Sequence, residues 1–143
     1  MRTITDHVVN GLTESIEVTA QGEPGPGGAN HKYHIGYKCG IHVDADGFPL
    51  TRSLLIRFQN GPIASPKDFN GVSNEAILAV LIDRIRGFQF QRNEDGSFDY
   101  SKPGKFACVE NMNALFSLQD ALRYLKSRTE KRMARGVEGS LKP

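Results

Sequence analysis

The period of the hydrophobic pattern changes once, near residue 70, and that change limits what the chain can fold into. Before it, apolar residues alternate with polar ones: Ile16, Val18 and Ala20 in one run, and Tyr33, Ile35, Tyr37, Cys39 and Ile41 in a second. In a third, SLLIRFQN, Leu54, Ile56 and Phe58 face one way and Leu55, Arg57 and Gln59 the other. Alternation with period two is the mark of a strand with one face in the core. The turn-rich DADGFP between the second and third runs suits an antiparallel connection. The first 60 residues therefore predict an antiparallel sheet of three to four strands.

After the loop GPIASPKDFNGVSN, the spacing becomes helical. Ile77, Leu81, Ile85 and Phe88 recur at intervals of three and four, with Ser73 or Asn74 as the cap and Glu75 in the first turn. A second, longer helix is expected from about Ala107 to Arg135, with Leu115, Leu118, Leu122 and Leu125 as its inner stripe and Gly136 as its stop. Between the helices, NEDGSFDYSKPGK is polar and carries Asp-Gly and Pro-Gly, which predicts an exposed hairpin or loop insertion. The fold class is α+β, and residues 1–143 are expected to form a single ligand-binding domain. A helix of about 29 residues spans about 43 Å, more than a short sheet covers, so part of it is expected to pack on another subunit.

Composition narrows the function. The longest apolar run, Ala76 to Ile82, is far below the roughly 20 residues of a membrane span, and the N-terminus lacks a signal-peptide core, so a cytoplasmic protein is expected. Cys39 and Cys108 lie far apart and outside any CxxC pair, which predicts buried, reduced thiols. The net charge of +2 comes from 18 basic and 16 acidic residues and cannot by itself hold a nucleic-acid backbone. Basic residues do cluster between 123 and 135, where Arg123, Lys126, Arg128, Lys131, Arg132 and Arg135 face the single acid Glu130. Arg128, Arg132 and Arg135, at spacings of four and three, share one helical face and suit bidentate contact with phosphate oxygens.

GEPGPGGANH resembles a phosphate-cradling loop but lacks the Lys-Ser/Thr of a P-loop. It places Asn30 where the dinucleotide fingerprint needs glycine, and it leads into a strand. A tight surface turn is the simpler reading, with Asn30 and His31 at its mouth able to hydrogen-bond a ligand or a neighbouring chain. His7, His31, His34 and His42 form no zinc pattern. No nucleophile beside a base and no pair of contrasted carboxylates stands out, so binding without catalysis is favoured. Two competing classes remain: a hydrolase of the bound ligand, and a small nucleic-acid-binding protein using the arginine-rich helix end.

GPGGANHKY at 25–33, FQNGPI at 58–63, NEAILAVLIDRIRGFQ at 74–89, FACVEN at 106–111 and SRTEKRMARGVEG at 127–139, in that order, resemble the phage anti-Thoeris family of signal sponges. The loop from Phe90 to Lys105 is longer than the family's usual link. The resemblance implies a phage-encoded protein, acting in the bacterial host cytoplasm, that binds cyclic ADP-ribose isomers made by TIR-domain proteins. It would hold them without cleavage, away from the NAD-depleting effector. The resemblance also implies homo-oligomers, as dimers or hexamers built as trimers of dimers. In some members it implies uptake of cyclic di- or trinucleotide signals of CBASS in separate pockets. Three ligand contacts carry over: Phe88 as the aromatic stacked on adenine, Asn111 as an amide on the ligand, and Arg128 as the pyrophosphate partner. Arg132, Arg135, Asn30 and His31 are further candidates. No cofactor, metal or nucleic-acid partner and no membrane contact is expected.

Overall fold

The computed structural model describes residues 1–10, 15–37, 43, 45–47 and 53–136. They have the expected α+β character and divide into two compact units, Met1–Val72 and a second that begins at Ser73.

The first unit is a four-stranded antiparallel sheet in the order β1 (Arg2–Ile4), β2 (Ile16–Gln21), β3 (Lys32–Tyr37), β4 (Ser53–Arg57). Its register lines up the apolar residues picked out by alternation. Val18 pairs with Ile35 and Ile35 with Leu54; Ala20 pairs with Tyr33 and Tyr33 with Ile56. Because successive side chains point to opposite faces, these rows occupy one side of the sheet. Ala20 is buried there, and Tyr33 meets the edge of Phe58 at 5.6 Å between ring centroids. Leu54, by contrast, remains exposed. Cys39, Ile41, His42 and, in DADGFP, Asp44, Phe48 and Pro49 lie outside the described residues.

Beyond β4, the FQNG segment is a clamp of side chains on backbone. Gln59 Nε2 donates to the Asp68 carbonyl at 3.0 Å, and Asn70 Nδ2 to the Asn60 carbonyl at 2.8 Å. The Asn60 and Asn70 amides in turn donate to the side-chain oxygens of Asn70 and Gln59. A 3-10 turn at Pro66–Asp68 carries a capping box in which the Asp68 carboxylate accepts from the Ser65 and Ala64 amides. Those hydrogen bonds hold the Asp68 carboxyl below the usual carboxylate range, the Ser65 amide contributing most. The loop closes with Val72 N–H donating to the Arg57 carbonyl and Gln59 N–H to that of Val72. Gly71 lies so close to this bridge that a Cβ would collide with the backbone of Arg57 and Phe58.

The second unit holds α1 (Asn74–Gln89), a hairpin of β5 (Phe90–Arg92) and β6 (Phe98–Pro103), and α2 (Val109–Ala134). Ser73 caps α1, its Oγ accepting from the Ala76 amide at 3.1 Å, with Glu75 in the first turn. The inner stripe differs from the expected one. Ile82 is the buried apolar residue of α1, and Leu81 is exposed. The burial follows Leu78, Ile82, Ile85 and Gln89, one residue round from Leu81, because that line also places the polar Gln89 where it is needed. Gln89 Oε1 accepts from the Cys108 amide at 3.1 Å, and its backbone carbonyl accepts from Gly104 at 2.9 Å.

The segment between the helices is a hairpin, turned at Asn93–Ser97 with Gly96 at positive φ. Cys108 caps α2, its Sγ accepting from the Asn111 amide at 3.4 Å. It is exposed, which corrects the expected buried thiol: a cap lies outside the helical core by geometry. Leu115 is buried, and Leu118, Leu122 and Leu125 are half-buried on the same stripe. Gly136, at positive φ, ends the helix and donates to the Met133 carbonyl. No helix among the described residues is long and apolar enough to cross a membrane.

Two stability outcomes follow. Gly71→Ala should lower the unfolding free energy by about 1–3 kcal/mol in denaturant titration, since a backbone neighbour cannot yield as a side chain can. Because the Asp68 pKa is depressed in the fold, its contribution is present above the unfolded value, near 3.9, and is lost as pH falls through the folded one. Asp68→Ala should therefore be less stable than the parent at pH 7, with a gap that narrows in acid.

Candidate functional site

In the second unit, Phe88 ends α1 half-buried, with Phe106 at its edge, 6.3 Å between centroids and 82° between planes. The guanidinium of exposed Arg84, one helical turn earlier, stands 5.1 Å over the Phe88 ring. Asn111, in the first turn of α2, donates from Nδ2 to the Phe106 carbonyl at 3.0 Å. Phe88 and Asn111 are thus joined through Phe106, one ring against ring and the other side chain against backbone. The Asn111 Oδ1 accepts no hydrogen bond among the described residues and remains an acceptor for an amino or hydroxyl group.

This corner offers an aromatic face guarded by a movable cation, with an amide close by. Phe106 is 61% exposed, and Lys105 stands 5.4 Å from its ring. A purine could stack here if Arg84 swings aside, because that side chain is solvated and in no ion pair among the described residues.

Arg128 lies elsewhere on α2. It lines a concave surface of about 640 Å³ with Tyr124, Lys131 and Arg135. Arg135 therefore joins Arg128, whereas Arg132 is not part of that lining. The helix is unbroken from Val109 to Ala134, so Asn111 and Arg128 are separated by about 25 Å along its axis and about 100° around it. A single α2 does not bring both to one small ligand.

Asn30 and His31 belong to the first unit, where the glycine loop is a self-contained turn. Gly25 N–H donates to the Ala29 carbonyl and Gly28 N–H to that of Gly25, so these two amides are turned inward. Asn30 Nδ2 donates to the Gly22 carbonyl at 3.1 Å, and the His31 carbonyl accepts from Phe58 N–H. The His31 ring lies against Gly25, in the space a Cβ would need there. Among the described residues, no group of three His, Cys, Asp or Glu side chains is placed to hold a metal ion.

Sequence reasoning passed over Arg84, Phe106 and Tyr124. The signal existed for two of them, since Arg84 and Tyr124 each lie four residues before a chosen site residue and hence on its face. Phe106 has no such relation in sequence and reaches Phe88 only through the hairpin.

Fold and surface define an α+β protein with an aromatic-amide corner and a cationic helix end. The chain is similar to "Thoeris anti-defense 1" of Bacillus phage SBSphiJ7, 36% identical over 85 residues. The match takes in 59% of this chain and 50% of the relative, so the chain aligns with about half of that protein's length. This similarity bears out the resemblance to the anti-Thoeris family. No family model matches the chain.

Arg128→Ala and Arg135→Ala should melt within about 0.5 kcal/mol of the parent, because both residues are exposed and lack an ion pair among the described residues. Phe88→Ala should be less stable in the same assay, by less than the roughly 3–5 kcal/mol of a fully buried Phe.

Proposed function

We propose that this chain is a phage anti-defence protein that captures cyclic ADP-ribose-type signals and holds them intact, so blocking Thoeris immunity in the cytoplasm of the host. The similarity to a phage anti-defence protein supports the biological setting. The observation that carries the chemical reading is the arrangement on α2: a purine-compatible corner at its start, with Phe88 and Asn111, and a phosphate-compatible surface at its end, with Arg128 and Arg135. A π face, an amide and a pair of guanidinium groups are the complement of an adenine nucleotide with a pyrophosphate. No residue pairing in this set activates a water or a nucleophile, which favours sequestration over hydrolysis.

Because Asn111 and Arg128 lie about 25 Å apart along α2, the reading requires two copies of the chain with their second helices antiparallel. The start of one helix then meets the end of the other, and each two-fold dimer carries two equivalent pockets. Exposed Val109, Phe116 and Tyr124, spaced seven and eight residues apart on α2, give such a contact an apolar stripe. Dimers of this kind would be the units of a hexamer. Uptake of CBASS cyclic di- or trinucleotides in other pockets belongs to the same proposal through the family resemblance alone.

Three experiments test the reading. Incubation with a cyclic ADP-ribose isomer, followed by heat denaturation, should release the intact signal, still able to activate its effector; recovery of fragments alone would make the protein a hydrolase. Arg128→Ala should abolish capture in isothermal titration while circular dichroism stays unchanged. Mixing Asn111→Ala with Arg128→Ala under subunit exchange should restore about half of the pockets per mixed dimer, since one pocket keeps both wild-type groups. A mixed dimer that forms and captures nothing would refute the shared pocket.

A further inference from the structure

The seam between α1 and α2 opens into a cavity of about 480 Å³ that adjoins the Arg128 surface at Ser127. Lys126 lines the cavity and Arg128 does not, and these two residues point about 160° apart around the helix. The cavity's floor is apolar, from Ile82 and Leu122. Its walls carry three cationic side chains, Arg86, Arg123 and Lys126, against the single carboxylate of Glu130.

Those cations are not equivalent. Arg123 is held by Asp120 on its own helix at 3.0 Å, a bond that raises its pKa above the ordinary arginine value. Arg86 and Lys126 form no ion pair among the described residues. Arg86 Nε is shielded from solvent and donates to nothing. A guanidinium N–H without an acceptor is a costly arrangement in a folded protein, and a turn of the Arg86 side chain that presents Nε–H to the cavity lets an acceptor from outside relieve it. The volume is that of a small-molecule site, and an apolar floor beneath convergent polar donors is the usual construction of one.

We propose that this cavity is a second anion site, in which Arg86, its Nε–H turned into the cavity, and the Lys126 ammonium hold the phosphate of a small phosphorylated molecule whose organic part lies on Ile82 and Leu122. Arg86 supplies the directional bond, Lys126 supplies charge at the rim, and Arg123, already engaged by Asp120, adds only field. The site lies within one chain and needs no second copy, unlike the pocket argued above. It rests on none of Phe88, Asn111 or Arg128.

Inorganic phosphate and phenyl phosphate are the probes, titrated into the isotope-labelled full chain at constant ionic strength while the arginine Nε–Hε resonances are followed. The Arg86 resonance, assigned through its own side-chain carbons, should move saturably, with phenyl phosphate binding more tightly because its ring covers the apolar floor. Lys126→Gln, a change at a solvated position, should weaken both probes about tenfold and leave the fold unchanged. Arg128→Ala should leave both titrations as they are in the parent. A stationary Arg86 resonance at saturating phosphate overturns the proposal. So does a shift that Lys126→Gln leaves intact or that Arg128→Ala abolishes. Loss of nucleotide capture in Arg128→Ala with phosphate binding preserved separates this site from the nucleotide pocket.

Discussion

Gln89 is the point on which the second unit turns. It is a polar side chain buried at the end of α1, and its two ends do different jobs: the side-chain oxygen accepts from the first free amide before α2, and the backbone carbonyl accepts from Gly104 at the close of the hairpin. A buried amide is tolerated only when its partners are in place, so this residue couples the end of one helix, the return of the hairpin and the start of the next helix. Gly104 must be a glycine for the same reason, since a Cβ there would run into the carbonyl of Phe88. With that corner set, Ile82 and Leu115 bury in a single seam, and the aromatic ring of Phe88 is delivered to Phe106.

The consequence for chemistry is a division along α2. A continuous helix is a rigid spacer, and side chains at its two ends cannot converge on one small ligand. Its start is tied to the aromatic corner by Asn111, and its end carries Arg128 and Arg135 into solvent. In the proposed dimer, an antiparallel partner would resolve the separation by bringing unlike ends together twice. The same helix has a third surface, the cavity shared with α1, whose unsatisfied Arg86 Nε has no role in that arrangement.

The motifs that looked functional in the sequence divide in a physically sensible way. The glycine loop and FQNG are spent largely on their own backbone. The Gly25 and Gly28 amides close a turn, and Gln59 and Asn70 hold the carbonyls and amides of a long connection that would otherwise be unpaired. Distinctive residues can mark an irregular backbone as readily as a ligand, because loops lack the ladder of bonds that strands and helices supply. At the basic helix end, by contrast, Arg128 and Arg135 line open concave surface.

Local periodicity by itself determined an antiparallel sheet of three to four strands and its facing rows, a cap for the first helix at Ser73 or Asn74, and the long second helix with its glycine stop. Each of these depends on residues close in sequence or on simple alternation, and so was legible in the order of residues. Tertiary structure alone decided which turn of α1 is innermost, because moving burial from Leu81 to Ile82 depends on where Gln89 finds its partners across the hairpin. It also decided that Cys108 stays exposed, since the residue serves as a cap and not as core. The meeting of Phe88 with Phe106 and the isolation of Arg86 Nε likewise have no local signature. They are set by how two helices and a hairpin pack, and the free energy of that packing is shared among contacts remote in the chain.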